Sequence, residues 1–419
     1  MLFFVMRALG ELLLSNLNYK TFADFASDLL GPWAGFFTGW TYWFCWIATG
    51  MADLVAIAGY VTFWWPDVPL WIPAVGAIVL LFCLNLPTVK AFGEAEFWFA
   101  IIKIVTIIVL IVVGLVMVFR GFTAPDGAQS SVANLWNDGG FFPTGFMGFV
   151  TGFQIAVFAF VGVELVGTTA AETKNPHTTL PRAINAIPVR VMLFYVLALA
   201  VIIMVTPWRD QSPDRSPFVA MFSLAGFAIA AGVINFVVLT PAASSANSGI
   251  YSTSRMIYGL AQEGDAPARF GRLSSRHVPV NALAFGCLCL LPGVAMLYAG
   301  GSIIEAFTLV TTIAALLFMF VWSIILVSYM AYRRRSPELH AESHFKMPGG
   351  VVMCWVVLAF FGFIIWGLTQ APDTRLALIV TPVWFVILGI VWFLLRGRPK
   401  HVQHEQEFHA ELDRHDDGR

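Results

Sequence analysis

The chain has 419 residues, of which 58% are hydrophobic and only 12% charged, and its mean hydropathy is +0.78. Soluble domains carry about 25% charged residues, so this composition excludes a water-soluble protein. The apolar residues stand in separated blocks, which indicates a helical membrane protein with several spans rather than a β-barrel, whose strands would alternate. The formal net charge of −1 gives no support to a nucleic-acid partner.

A membrane-spanning helix needs about 20 mostly apolar residues, and ten blocks of the sequence are predicted to span. The chain opens on a shorter apolar stretch, residues 1–6, which Arg7 interrupts. We interpret it either as the tail end of a span whose first part is missing or as an interfacial helix. The first interpretation predicts that the natural protein begins earlier, or that this reading frame starts at an internal Met. The ten predicted full spans are 33–65, 71–89, 97–119, 146–168, 188–208, 217–240, 282–299, 303–331, 350–369 and 376–395.

The positions of Lys and Arg give these spans an orientation, because cytoplasmic loops collect positive residues. We place the first loop in the cytoplasm and let the following loops alternate between the two sides of the membrane. Of the 24 Lys and Arg residues, 19 then lie on the cytoplasmic side and four on the other, with Lys103 left within a span. The split predicts a cytoplasmic C-terminus. We predict one transmembrane domain, residues 1–395, followed by a charged, disordered cytoplasmic tail, residues 396–419.

A charge at mid-membrane costs roughly 2.5–3.5 kcal/mol on insertion scales, so an ionisable residue within a predicted span needs a reason to be there. Glu305 opens its helix, where the helix dipole favours a carboxylate, and we interpret it as structural. Asp53 lies midway along 33–65 and is either a buried structural partner or a lining residue. Lys103 lies near one end of 97–119, where it either snorkels to the interface or forms a fixed cation between helices.

Glu164 follows Gly162 in the middle of the span 146–168, and glycine within a helix costs about 1 kcal/mol relative to alanine. The pair predicts a broken helix whose backbone faces a cavity. In transporters such breaks direct a half-helix N-terminus toward anionic groups while unwound carbonyls accept cations, and an amino acid zwitterion needs both. The alternative is a plain helix with a structural glutamate. Because no histidine lies within a predicted span, Glu164 is the predicted proton carrier.

Small polar residues mark a further stretch, which we predict to continue the helix after 217–240. They either line an inner vestibule or form hydrogen bonds between helices, and the threonines of 303–331 allow the same two interpretations. The lining residues under the first interpretation are Ser244, Ser245, Asn247, Thr311 and Thr312.

Neither a metal nor a cofactor is predicted. The five cysteines lie within apolar blocks at spacings that fit no zinc site, and the eight histidines lie in polar connections or in the tail. A membrane enzyme is disfavoured because no His or Cys cluster and no Ser–His pairing exists at membrane depth. A channel would need repeated rings of polar residues, where this sequence has a single charged position per helix.

The segment from Phe158 to Pro176, which reads FAFVGVELVGTTAAETKNP, resembles the amino acid–polyamine–organocation superfamily. Shorter stretches that begin at Arg7, Gly31 and Phe92, and a longer one that begins at Ser244, are typical of its bacterial amino acid transporter branch. The similarity runs from residue 1 to 395. It implies an all-α polytopic membrane protein with a LeuT-like fold of two inverted five-helix repeats plus two extra helices. It also implies import of small neutral amino acids, here D-alanine, D-serine and glycine, by proton symport across the bacterial inner membrane.

The resemblance assigns roles to several residues. Phe158, Ala159, Phe160, Val161 and Gly162 match the family's unwound segment, whose carbonyls bind the substrate amine, and Phe158 matches its gating aromatic residue. Glu164 matches an acidic position used in proton coupling. Lys103 matches a lysine that replaces the sodium site of sodium-coupled relatives. The implied partners are the amino acid, protons and the lipid bilayer.

The sequence departs from the family at its beginning. The family's first helix, whose glycine-rich break binds the substrate carboxylate, is absent, as is most of the second. We therefore expect the 419-residue chain alone to be a non-transporting fragment, whereas a form that includes the first helix transports. A permease of the same family for another amino acid and an exchanger remain the alternatives.

Overall fold

The computed structural model describes residues 1–396 except 18, 20, 87–88, 126, 166–174, 213–215, 228–230, 263 and 300–301, and for residues 89–96, 231 and 299 it describes the backbone alone. The described part of the chain is helical, and its β-type pairing is limited to an isolated antiparallel bridge between Thr123 and Gln129. From residue 397 onward, the predicted tail lies outside the described residues. The α-helices are, in chain order, α1 (Leu2–Ser15), α2 (Phe22–Leu30), α3 (Pro32–Val61), α4 (Trp71–Asn85), α5 (Val89–Phe119), α6 (Gly145–Phe158), α7 (Pro176–Val191), α8 (Ala198–Val205), α9 (Pro217–Phe222), α10 (Ala231–Gln262), α11 (Val280–Leu288), α12 (Leu291–Ala299), α13 (Ile303–Arg335), α14 (Pro337–Glu342), α15 (Gly350–Leu368) and α16 (Pro372–Leu395).

Seven helical stretches among the described residues are long and apolar enough to cross a membrane. The helices α4 and α6 are apolar but shorter. An all-helical chain with several candidate spans is thereby confirmed, while the count of ten spans stays a prediction. The seven stretches are Pro32–Val61, Phe97–Phe119, Pro176–Val205, Val280–Tyr298, Ile303–Arg335, Gly350–Leu368 and Pro372–Leu395.

The clearest difference from the predicted spans concerns residues 217–240. The structure has the short helix α9, then a π-helix at Ser223–Phe227, and the 32-residue helix α10 from Ala231. The polar run continues this helix beyond residue 240, as predicted. Its Ser and Asn side chains bond to other helices, which allows polar residues within the helix without exposing them to lipid.

The core of the molecule is built around α3, which packs along α10 and α13. Glycines bring the neighbouring helices close. A Cβ built on Gly293 of α12 would lie 2.8 Å from the Cβ of Met51 on α3. In a membrane, helices associate through such close packing rather than through a hydrophobic drive, so small residues at these contacts set the spacing. A second cluster joins α5, α8 and α9 around Leu110, Val201 and Met221.

Arg7 does not interrupt α1, which runs on to Ser15. Its guanidinium donates a hydrogen bond to Asn185 Oδ1 at 3.0 Å and another to the carbonyl of Lys346, and it lies 3.8 Å from the centre of the Phe345 ring. These partners accept hydrogen bonds from the charged guanidinium and hold it against the neighbouring segments.

Glu11, one turn further along α1, is completely buried and accepts hydrogen bonds from Tyr329 Oη at 3.0 Å and Met347 N at 2.7 Å. His340 Nδ1 lies 2.5 Å from its other oxygen. One carboxylate therefore joins α1 to the end of α13, to α14 and to the segment that follows α14. We name these four residues the Glu11 cluster.

Candidate functional site

The helix α6 ends at Phe158, and Ala159 to Glu164 form consecutive turns. Gly162 has a φ of +95°, in the region that glycine alone adopts without strain. The interruption that the sequence predicts at this glycine is therefore present. We name residues 158–162 the interrupted segment. The remainder of the motif that carries the family resemblance, residues 166–174, lies outside the described residues.

Most carbonyl groups of the interrupted segment already accept a hydrogen bond. The Phe158 carbonyl accepts from Val161 N at 3.0 Å, that of Phe160 from Val163 N at 3.4 Å, and that of Gly162 from Leu165 N at 3.2 Å. The hydroxyl of Tyr195 donates to the Ala159 carbonyl at 2.7 Å. No described residue donates to the carbonyl of Val161. Within the described part of the chain, the acceptor of this segment that has no protein donor is therefore the Val161 carbonyl.

Glu164 lies directly behind this segment and is completely buried. One carboxylate oxygen accepts a hydrogen bond from Tyr42 Oη on α3 at 3.3 Å, and the other accepts from the backbone N–H of Gly162 at 3.2 Å. The glutamate therefore bonds to the backbone of its own turn and to a neighbouring helix. It does not point into hydrocarbon.

Aromatic rings surround Glu164 and Gly162. Tyr42, Trp46 and Phe318 meet edge to face, with ring centroids 6.0–6.5 Å apart, and the ring of Trp322 follows at 5.8 Å from Phe318. A Cβ on Gly162 would lie 3.5 Å from Trp46, so the turn packs on that indole. The Nε1 atoms of Trp46 and Trp322 are buried, the first near Tyr42 and the second near Glu164. Indole N–H groups therefore lie beside the acceptors of this site.

The predicted gating residue, Phe158, lies at the end of α6. Its ring meets that of Phe307 on α13 edge to face, with the centroids 6.2 Å apart at an interplanar angle of 84°. Phe158 is partly buried and packs against the core. It is thus held between α6 and α13 at the entrance of the interrupted segment.

Lys103 extends from α5 to α10, where its Nζ donates to Ser244 Oγ at 2.8 Å. Asp53 on α3 interacts with Ser245 and with the Lys103 ammonium. Ser244 is completely buried, so Lys103 is directed into the protein rather than toward an interface. The structure brings these four predicted residues together at a junction of three helices, which we name the Lys103 cluster.

The remaining candidates take part in contacts between helices. Asn247 Oδ1 accepts a hydrogen bond from Asn85 Nδ2 on α4 at 2.9 Å, and Thr311 Oγ1 accepts from Gln154 Nε2 on α6 at 3.0 Å. The Thr312 hydroxyl donates to the carbonyl of Thr308 in its own helix at 2.6 Å. For Asn247 and Thr311 these are bonds between helices, which the sequence analysis gave as the alternative to lining, whereas the bond of Thr312 lies within its own helix.

Glu305 lies in the first turn of α13, and its backbone N–H donates to the side chain of Ser302, the N-cap, at 3.2 Å. A carboxylate at this position faces the positive end of the helix dipole. The location matches the structural interpretation of Glu305.

Sequence reasoning did not single out Tyr42, Trp46, Gln154 or Asn85. Their spacing from Asp53 could have indicated the first two. Trp46 and Asp53 follow Tyr42 by four and eleven residues, and these separations place all three on one face of α3. Eleven residues correspond to about 16 Å along a helix, so this face connects Glu164 at one level with the Lys103 cluster at another.

Comparison with known proteins gives the following similarities. The sequence pattern described as amino acid permease matches residues 1–405. The D-serine/D-alanine/glycine transporter of Escherichia coli (strain K12) is 64% identical over 395 residues, which are 94% of this chain and 84% of that protein. The amino-acid permease AapA of Bacillus subtilis (strain 168) is 50% identical over 390 residues, 93% of this chain and 84% of that protein. The probable threonine/serine transporter YbxG of the same strain is 40% identical over 402 residues, 96% of this chain and 86% of that protein.

Proposed function

The chain belongs to the amino acid permease family, and on that premise we propose that it imports small neutral amino acids by proton symport, with D-alanine, D-serine and glycine as substrates. The substrate proposal follows the similarity to the Escherichia coli transporter, whose name contains these three amino acids. The observation that carries the mechanism is the interrupted segment with Glu164 buried behind it.

The interrupted segment suits the ammonium end of an amino acid. The Val161 carbonyl is its open acceptor, and a carbonyl oxygen attracts a cation most strongly where water is excluded. Phe158, at the end of α6, gates this position. The indole of Trp46 packs beside Gly162, so an aromatic wall lies next to this turn. These contacts support a site for a small zwitterion.

Glu164 is proposed to carry the proton. A charged carboxylate is unstable at membrane depth unless a cation lies beside it. The free-energy difference between the charged and neutral forms of Glu164 is therefore large, and it depends on the groups around the side chain. Glu164 also bonds to the N–H of Gly162. Any change in its protonation therefore alters a hydrogen bond that shapes the interrupted segment, which couples proton and substrate through one turn of backbone.

Lys103 is proposed to act as a fixed cation that holds α3, α5 and α10 together through Asp53, Ser244 and Ser245. It remains in place throughout the cycle, whereas a transported ion would leave. We also propose the finer architecture for the whole chain: ten spans of a LeuT-like inverted repeat in residues 1–395, in the bacterial inner membrane, with residues 396–419 as a cytoplasmic tail.

Uptake of labelled glycine by cells that express the protein tests the proposal. The assay starts with the 419-residue chain and, if uptake stays at background, continues with the same chain extended by the codons upstream of Met1. We refer to the form that takes up glycine as the transporting form. Background uptake by both forms would contradict the proposal.

Competition and coupling define the substrate and the mode of transport. We expect unlabelled D-alanine and D-serine to compete with labelled glycine, and GABA and aromatic amino acids not to compete. L-Threonine tests the specificity suggested by the name of the YbxG relative. A protonophore should abolish accumulation. Uptake that resists the protonophore but depends on preloaded unlabelled amino acid would identify an exchanger instead.

A further inference from the structure

Tyr195 lies in a π-helix, Met192–Leu197, which joins α7 to α8 within one apolar stretch. A π-helix is rare and occurs mostly as a single turn inside an α-helix, often at a functional site, because the extra residue turns the following side chains to a new direction. The direction taken by Tyr195 is toward the interrupted segment.

Tyr195 contacts this segment with two parts of its side chain. Its hydroxyl donates to the carbonyl of Ala159 at 2.7 Å. Its ring stacks on that of Phe160, with the centroids 5.4 Å apart and the planes within 6° of parallel. A hydrogen bond and a stacked ring on consecutive residues fix both the peptide plane at Ala159 and the side chain at Phe160.

The hydrogen bond removes one acceptor of the segment from competition. The hydroxyl occupies the Ala159 carbonyl, two residues before the carbonyl of Val161, where it would otherwise compete for a cation. The stacked ring holds the neighbouring Phe160 side chain, so the backbone that leads to Val161 is held at Ala159 and at Phe160. We infer that Tyr195 is a positioning residue that keeps the Val161 carbonyl as the acceptor for the substrate's ammonium group. This inference rests on the proposed function.

A purely structural account of Tyr195 is that a tyrosine hydroxyl inside a membrane protein bonds to any nearby carbonyl. That account predicts a change in the amount of folded protein and none in apparent affinity. The two accounts therefore differ in the KM for uptake, which does not depend on how much transporter is present.

The variant Tyr195→Phe removes the hydroxyl and keeps the ring on Phe160. The matched control is Tyr298→Phe, because the hydroxyl of Tyr298 also bonds to a backbone group, the N–H of Trp71, at 3.1 Å. In the transporting form we expect Tyr195→Phe to raise the KM for glycine about fivefold, the effect of one lost hydrogen bond. The maximal rate per transporter should stay the same. Tyr298→Phe should leave the KM unchanged.

Hydrogen exchange of the peptide that spans residues 157–165 provides a readout that does not need transport. We expect faster exchange in Tyr195→Phe than in the unchanged protein, and no difference in Tyr298→Phe. A KM within twofold of the unchanged value, or an equal rise in both variants, would overturn the inference, as would unchanged exchange in this peptide. If the unchanged protein takes up none of the tested amino acids, the proposed function fails, and the exchange comparison alone decides whether Tyr195 holds the segment.

Discussion

Ser244 on α10 accepts a hydrogen bond from the ammonium group of Lys103 on α5 at 2.8 Å. Asp53 on α3 lies near this pair: it bonds to Ser245 and interacts through space with the Lys103 ammonium group. Ionisable side chains inside a membrane protein need polar partners of this kind. The Lys103 cluster is therefore a place where α3, α5 and α10 meet through polar side chains.

We expect Lys103→Ala to abolish net uptake while the protein inserts into the membrane normally, because Ser244 loses its bond to the ammonium group and the junction of three helices loses its positive charge. Labelled-glycine uptake, normalised to the amount of protein in the membrane, measures the effect. Lys346→Ala is the matched control, since the Lys346 ammonium bonds to the carbonyl of Ala341 outside the predicted spans. Normal uptake by Lys103→Ala would leave Lys103 with a packing role only.

Glu164→Gln should abolish accumulation driven by a pH gradient, because a glutamine oxygen can accept from Gly162 N–H and its NH2 group can donate to Tyr42 Oη, but the side chain cannot exchange a proton. Exchange of amino acid down its own gradient should survive. Initial rates across a series of external pH values measure this, and the rise in uptake at acidic pH should disappear in the variant. Glu305→Gln serves as the control, since Glu305 lies at the N-terminus of α13. An unchanged pH profile in Glu164→Gln would remove that residue from proton coupling.

Gly162→Ala should destabilise the protein and impair uptake, because a φ of +95° costs an L-residue about 1–2 kcal/mol. The penalty is conformational rather than steric, since the added Cβ would lie 3.5 Å from Trp46, an ordinary contact. Gly152→Ala is the control in the regular part of α6, where nothing lies within 4 Å of the new Cβ. We expect a lower Tm in detergent for Gly162→Ala and an unchanged or higher Tm for Gly152→Ala. Equal Tm values would mean that the turn relaxes without strain.

Glu11→Ala should lower the Tm strongly. Removing the carboxylate leaves the N–H of Met347 and the hydroxyl of Tyr329 without their acceptor, and each unsatisfied buried group costs about 1–3 kcal/mol. Glu338→Ala, at an exposed position of α14, is the control and should leave the Tm unchanged. A Tm loss of similar size in both variants would show that the Glu11 cluster contributes no more than a surface charge.

The sequence predicts the helical class, the break at Gly162 and the importance of Glu164 and Lys103, because glycine and charge are conspicuous within apolar blocks. Partners are harder to predict. Tyr42 is one of many aromatic residues, and it meets Glu164 across 122 positions of the chain. Likewise, nothing in the local sequence around Gln154 indicates that its amide bonds to Thr311. Such pairings depend on how helices cross, which neither hydropathy nor periodicity records.

The partners of Arg7 show the same limit. The sequence shows Arg7 as an interruption of an apolar stretch, whereas the structure gives its guanidinium acceptors on Asn185 and on the Lys346 carbonyl. Both partners are distant in sequence, and one is a backbone group that any residue could supply.

The Glu11 cluster has a mechanical consequence. One carboxylate on α1 is bonded at once to the end of α13, to α14 and to the segment that follows α14. Displacing one of these elements from the others would leave a buried polar group without its partner, at a cost of about 1–3 kcal/mol. The turns around Gly162 lack the regular hydrogen bonds of a helix. We therefore expect bending to be easier at those turns than at the Glu11 cluster.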